Sequence, residues 1–227
     1  MDANLIIISL GGSLIVPDSN INVTFLKNFR ELIIKNLNKK RFFIVAGGGD
    51  ISRHYQKAAA RVVKLASEDI DWLGIHTTHL NAHLLRTIFR GFAHPKVITH
   101  YDEKEPIKES VTIAAGWKPG HSTDFDAVML AKLYKADTVI NLTDVDYVYD
   151  KDPHKFPNAV ALKEISWENF IRTIGNTWNP GDNLPFDPIA SQAAQKIGIK
   201  VAILNGKNLQ NLQNFLDNKD FKGTIIS

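Results

Sequence analysis

Six short apolar runs punctuate the chain, at residues 5–10, 42–46, 96–99, 111–115, 138–142 and 200–204. Each is rich in Ile, Val or other apolar side chains and nearly continuous, the pattern of a strand buried on both faces. Longer stretches with helical spacing lie between them. Over 23–37, Phe25, Leu26, Phe29, Leu32, Ile33 and Leu37 fall on one stripe, and similar patterns cover 51–66, 73–92, 124–134, 189–197 and 209–216. Strand and helix alternate from end to end. This predicts an α/β fold, a three-layer α/β/α sandwich around a mostly parallel central sheet. No repeat or linker interrupts the pattern, so 1–227 reads as one domain. The stretch 175–188, crowded with Asn, Pro, Gly and Asp, reads as a long loop in a position suited to binding.

Two of the runs end directly in glycine and lead into helical patterns: Gly11-Gly12-Ser13 after the first, Gly47-Gly48-Gly49 after the second. That arrangement exposes backbone N–H groups to an anion, and glycine is required because a Cβ would block a phosphate's approach. Either loop alone would be read equally well as a tight turn; two in one small α/β chain favour phosphate binding. No segment fits the P-loop spacing. A dinucleotide fingerprint starting at Gly47 would need glycine at position 52, where Ser52 stands.

Composition narrows the reading. With 227 residues, 44% hydrophobic and 22% charged, the chain has ordinary globular values and enough length for a large core. A formal charge of +3, with no dense basic tract, argues against nucleic acid as the main partner. The absence of cysteine excludes disulfides, thiolate metal sites and cysteine nucleophiles. No apolar run reaches membrane-span length and the first residues lack a signal peptide's basic start, so a cytoplasmic location is expected.

Five segments occur in an order that resembles the amino-acid-kinase superfamily. They are Ser9-Leu10-Gly11-Gly12-Ser13, Gly47-Gly48-Gly49-Asp50-Ile51-Ser52-Arg53, Asp71-Trp72-Leu73-Gly74 with Asn81-Ala82 downstream, Pro119-Gly120-His121-Ser122-Thr123-Asp124, and the stretch from Thr143-Asp144-Val145-Asp146 to Asp152-Pro153. Within it they are most similar to the uridylate kinase branch in its archaeal form. The resemblance implies transfer of the ATP γ-phosphoryl group to UMP, with Mg, by direct in-line displacement. It places UMP mainly on residues 1–135 and ATP mainly on 136–227, and suggests a homo-oligomer, in some cases a hexamer. It assigns Gly48 and Asp71 to UMP, with Gly116, Trp117, Lys118, Pro119, Gly120, His121, Ser122 and Thr123 wrapping it. Ser9, Gly11, Gly12, Ser13 and Gly49 would line the ATP phosphates, and Thr143, Tyr149 and Asp152 the adenosine. Arg53, Asp124 and Asp187 would be catalytic.

Several of these residues have plainer readings. Arg53 is also compatible with an exposed helix surface, Asp187 before Pro188 with a helix N-cap, and Asp71 with a turn acid. Asp144, Asp150 and Asp152 lack the Gly and Glu of a calcium loop. His76, His79 and His83 share a helical stripe, more simply a polar or interface stripe than a zinc site. The chain also departs from its superfamily. Ser9 stands where many members carry Lys, Trp117-Lys118 and Asp50 are unusual, and Tyr147 replaces a common Gly; Lys118 is a candidate substitute cation. Two alternatives follow: a sister enzyme such as isopentenyl phosphate kinase, or a non-catalytic nucleotide-binding storage or regulatory protein of the same fold.

Overall fold

The computed structural model describes residues 4–151, 155–174 and 184–227. Strand β1 (Asn4–Leu10) runs into a one-turn helix α1 (Gly12–Ile15) and a 3-10 turn (Pro17–Ser19). Helix α2 (Val23–Asn36), strand β2 (Lys40–Ala46), helices α3 (Gly49–Ala60) and α4 (Ser67–Ile88), strand β3 (Val111–Ala114) and helix α5 (Thr123–Tyr134) follow. Next come β4 (Thr138–Thr143), the short strands β5 (Val148–Tyr149), β6 (Ala161–Leu162) and β7 (Glu164–Ile165), and helix α6 (Trp167–Ile174). The chain closes with α7 (Pro188–Ile197), β8 (Lys200–Asn205), α8 (Leu209–Leu216) and β9 (Thr224–Ile226).

Among the described residues the central sheet has seven strands in the order β3-β2-β1-β4-β8-β9-β7, parallel except where β8 meets β9. Strands β5 and β6 form a separate antiparallel ribbon. Strand alternation sorts the core into two layers. Ile6, Ile8, Leu10, Phe42, Ile44, Ile140 and Leu142 face α2, α4 and α8; Ile7, Phe43, Val45, Val139, Val201 and Ile203 face α5, α6 and α7. This is the expected three-layer sandwich. No helix among the described residues is long and apolar enough to cross a membrane.

Three element boundaries differ from the sequence pattern. Residues 96–99 form no strand: Ile98 makes an isolated bridge to Ala114, and Pro95 has no N–H with which to extend a ladder. Helix α3 stops at Ala60, since Val62 and Val63, which would prolong its stripe, are exposed. Helix α4 starts at Ser67, six residues before the apolar stripe shows it, so Asp71 is helical rather than part of a turn.

Sheet order sets where a ligand can sit. From β1 the chain steps to β2 and β3 on one side, and later to β4 and β8 on the other. Connections leaving the carboxyl ends of β1 and β4 therefore diverge, which opens a crevice at that edge. The two glycine loops meet there. A Cβ on Gly12 would stand 2.0 Å from the Gly49 nitrogen and 2.7 Å from the Gly47 carbonyl carbon, so the loops touch backbone to backbone. Gly49 itself has φ +71°, a conformation open to glycine and strained for other residues.

Gly12→Ala is therefore expected to cost about 3 kcal/mol or more, because two backbones must separate. Gly198→Ala, at a left-handed helix terminus with open space, should cost only about 1 kcal/mol. Urea unfolding of both variants measures the order, and equal losses would contradict the contact.

Candidate active site

Helix capping distinguishes the two glycine loops from most other helix starts, although α4 also begins, on Ala66, without a side-chain cap. Helices α2, α5, α7 and α8 start on Asn22, Ser122, Asp187 and Asn208, each of whose side chains accepts a first-turn N–H. Helices α1 and α3 start on Gly11 and Gly48 with no side-chain cap. Asp50 N–H donates to the Val16 carbonyl at 3.4 Å, which leaves the Gly12, Ser13 and Gly49 amides for another acceptor among the described residues. The Gly11 N–H itself is used, donating to the Leu142 carbonyl at 2.9 Å, which ties the β1 loop to the end of β4 beside Thr143.

Next to these loops lies a cleft of about 220 Å³. Its walls include Gly48, Gly49 and Arg53 of the second glycine turn, Asp71 of α4, and Gly116, His121, Ser122 and Thr123 of the loop before α5. A larger hollow of about 570 Å³ between α2 and α8 lacks both glycine amides and clustered carboxylates, so chemistry rather than volume selects the smaller one. Arg53 is half-exposed at the mouth, its Nε donating to Asp50 Oδ1 at 3.2 Å.

The loop 116–123 is anchored at several points. The Gly116 N–H donates to Thr78 Oγ1 at 2.8 Å, and Gly120 N–H to Asp71 Oδ2 at 2.7 Å. His79 Nε2 lies 2.8 Å from the Gly116 carbonyl; because a carbonyl only accepts, that nitrogen carries the proton. His76 packs against His79 and Trp72, whereas His83 lines a separate hollow with Leu80 and Leu84. The histidine stripe thus has an anchoring member, and among the described residues no group of three or more His, Asp or Glu is arranged to hold a metal ion. Lys118, exposed, sits with Nζ 4.0 Å above the Trp117 ring, and Pro119 continues the arch. Asn81, buried in α4, donates to the Gly47 and Gly48 carbonyls at 2.8 and 3.1 Å, fixing the second glycine turn from beneath.

Behind the cleft stand the acids. Ser9, only 2% exposed, donates to Asp124 Oδ1 at 2.8 Å. Its register partner on β4, Asn141, donates to the Pro185 carbonyl at 3.0 Å, just ahead of Asp187. These two polar residues, side by side on otherwise apolar strands, fix where both carboxylates lie. Asp187 Oδ1 caps α7 by accepting from Ala190 N–H at 2.8 Å, while Oδ2 is buried without a partner. Burial, with the charge of Asp187 beside it, raises Asp124 to about 6, although hydrogen bonds from Ser9 and the Asp187 backbone pull it down. His121 is lowered from its usual value, first by burial and then by the positive charge of Lys118.

Most of the residues singled out in the sequence come together here. Ser9, Gly11, Gly12, Ser13, Gly48, Gly49, Arg53, Asp71, Gly116, His121, Ser122, Thr123, Asp124 and Asp187 surround the two glycine turns and the cleft, and Thr143 adjoins Gly11. Tyr149 lies on the β5–β6 ribbon, apart from the cleft walls, and Asp152 lies outside the described residues. The plain and functional readings of Asp187 hold together, since one oxygen caps and the other is unused. Sequence reasoning missed Asn141, Thr78, Gln56, Ser52 and the buried Asp126. For Asn141 the signal was present: an amide within a run of apolar strand residues.

Comparison with known proteins agrees with this geometry. Residues 4–205 match the Amino acid kinase family. The chain is 33% identical to the uridylate kinase of Pyrococcus abyssi, covering 97% of this chain and 98% of that protein. It is 32% identical to the uridylate kinase of Methanosarcina barkeri over 98% of this chain and 96% of the relative. The crystal structure of uridylate kinase from Archaeoglobus fulgidus superposes with a TM-score of 0.82 at 30% identity, over 98% of this chain and 99% of that one. UMP kinase from Ureaplasma parvum shares the fold, with a TM-score of 0.79 at 23% identity and both chains covered completely. With the family matched along nearly its whole length and its glycine turns, crevice and buried acids in place, the chain belongs to the amino acid kinase family.

Proposed function

We propose that this chain is a uridylate kinase, which moves the γ-phosphoryl group of ATP to the phosphate of UMP and releases UDP and ADP. The observation that carries the reading is the backbone contact between Gly12 and the turn 47–49, which sets two amide-lined loops against each other at the crevice. Full-length likeness to proteins named uridylate kinase supports UMP as the acceptor. The acceptor lies on the 1–135 half: Gly48 meets its phosphate, Asp71 accepts a ribose hydroxyl, and the loop 116–123 wraps the base and phosphate. The 136–227 half holds ATP, whose phosphates lie along Ser9, Gly11, Gly12, Ser13 and Gly49 and whose adenosine faces Thr143, Tyr149 and Asp152.

The acceptor phosphate is anionic at neutral pH and needs no base to attack. What the protein must supply is alignment and relief of repulsion between two polyanions. The glycine turns do this with fixed N–H dipoles, and Arg53 with a fork that matches phosphate oxygens. Transfer is direct, with no phosphoenzyme. Asp124 and Asp187 would repel phosphate, so they serve a cation. The unpartnered, buried Oδ2 of Asp187 beside Asp124 fits Mg²⁺ held directly or through water. When bound, that ion neutralises charge on the transferring phosphates.

One detail separates this enzyme from a kinase acting on isopentenyl phosphate, which the superfamily resemblance associates with a histidine after the glycine triplet. Here His54 is engaged elsewhere, its Nδ1 2.5 Å from Ser19 Oγ, and Arg53 is the residue at the cleft.

The purified chain with Mg-ATP should convert UMP to UDP and leave isopentenyl phosphate unchanged; chromatography of products from a panel of monophosphates decides it, and phosphorylation of isopentenyl phosphate in preference to UMP would sink the assignment. Arg53→Ala should lower kcat/KM at least about tenfold, roughly 1.4 kcal/mol of transition-state stabilisation, without altering thermal stability, since the side chain is half-exposed. Wild-type rates would remove Arg53 from the site. Asp124 supplies a third outcome. Its folded value of about 6 lies above the ordinary 3.8, so ionisation costs folding energy that is mostly absent near pH 4 and fully present above about pH 7. Asp124→Asn should thus stabilise the protein by about 1–3 kcal/mol at pH 8, lose that gain near pH 4, and abolish turnover. Calorimetry at both pH values measures it, and a destabilised variant at pH 8 would contradict the burial argument.

A further inference from the structure

We infer that Asp126 is a positioning residue for the acceptor, holding the start of the loop 116–123 through the Trp117 backbone amide. The inference rests on the reading of the cleft as the UMP site. Asp126 lies in the first turn of α5, is 0% exposed, and is the one charged group among the buried residues of that helix, the others being Ala127, Val128, Leu130 and Ala131. A carboxyl group in such surroundings costs folding energy that an apolar residue would not. Its one hydrogen bond among the described residues is from Trp117 N–H to Oδ2, at 3.3 Å; Oδ1 has no partner.

That bond sits at a junction. Trp117 is the first loop residue beyond Gly116, whose own amide and carbonyl are fixed by Thr78 and His79 on α4. Asp126 is what ties the next residue to the opposite side, helix α5. From Trp117 the contact continues by packing. The indole lies edge-on to the buried Tyr101 ring at 5.9 Å and tilted against His121 at 6.2 Å, and His121 stacks on Phe125 at 4.3 Å. His121 is a wall of the cleft. The same first turn of α5 carries Asp124 on the side toward β1, held by Ser9. One buried oxygen therefore fixes the loop that closes over the acceptor relative to the helix that carries a catalytic carboxylate. Removing it leaves the Trp117 N–H without an acceptor and frees the His121 wall, while the turns 11–13 and 47–49 and the β4 end keep their own bonds.

The test compares Asp126→Ala with Asp126→Asn, whose side-chain carbonyl still accepts the Trp117 N–H. Asp126→Ala should raise KM for UMP about tenfold or more, the scale of an unpaired buried donor, and change KM for ATP by no more than about twofold. Asp126→Asn should return KM for UMP to within about twofold of the parent. A merely structural role would raise both KM values together and would not be rescued by Asn. The inference is overturned if Asp126→Ala leaves KM for UMP unchanged, if both KM values rise equally, or if Asn is as damaging as Ala. Should the Ala variant not fold, Asp126→Asn is read with amide exchange at Trp117: parental KM for UMP with slow exchange upholds the anchor, parental KM with fast exchange overturns it, and a large loss of kcat overturns it by showing that the carboxylate is needed as such. Amide exchange at Trp117 reads the anchor without catalysis, slow in the parent and Asn variant and faster in Ala. A chain that turned over no UMP yet kept this exchange pattern would refute the assigned reaction and leave the anchor standing.

Discussion

The closeness of two backbones governs this molecule. Gly12 and the turn 47–49 approach so tightly that a single added methyl carbon would lie 2.0 Å from a main-chain nitrogen. Side chains are excluded from the contact, so the surface it presents is made of peptide groups. Peptide N–H dipoles are fixed by the chain and need no reorganisation when charge develops, which suits a reaction whose main obstacle is bringing anions together. The contact is possible because β1 and β2 are parallel neighbours in exact one-to-one pairing from Asn4↔Lys40 to Leu10↔Ala46, so both strands end at one level. Gly47 N–H then donates to the Leu10 carbonyl at 2.9 Å, extending the ladder one step into the loops. The sheet's register thus delivers the site.

A second layer of order comes from the few polar residues inside the strands. Ser9 and Asn141 are register partners on the face toward α5 and α7. Each donates a hydrogen bond to a neighbouring element, Ser9 to Asp124 and Asn141 to the Pro185 carbonyl before Asp187. Buried polar groups are costly unless paired, and these are paired in a way that leaves two carboxylates close together without a cation among the described residues. Burial first, and the charge of Asp187 after it, raise Asp124 to about 6.

The architecture was legible because buried parallel strands are short apolar runs and their covering helices carry an apolar stripe; five of six expected strands and every expected helix exist. What was not legible has local causes. Strands β5, β6, β7 and β9 have only two or three residues, too few for any periodicity. The run 96–99 has strand composition but bridges the edge of β3 at Ile98 alone. In the site, the glycines and the acids Asp71, Asp124 and Asp187 were readable since turn chemistry and motif spacing mark them. Asp126 was not, because a single polar residue in an apolar segment looks like an interruption until its partner, distant in sequence, is known.

The serine at position 9 bears on how charge is managed. Many kinases of this superfamily carry a lysine there, and a cation on that strand would pair with Asp124 and hold its carboxyl ionised. Ser9 is 2% exposed and can only offer one neutral hydrogen bond, so Asp124 remains raised, which suits the proposed role of the pair with Asp187 in serving a cation. On the proposed reading, the side-chain positive charge facing phosphate then comes from the rim. Arg53 is half-exposed and held only by Asp50, an i,i+3 pair worth a few tenths of a kcal/mol, and Lys118 rests on the Trp117 ring. Both restraints are weak enough to yield to a doubly charged phosphate. On the proposed reading, two releasable cations at the mouth stand in for a fixed buried one, and the glycine amides, which cannot move, would carry the burden of alignment.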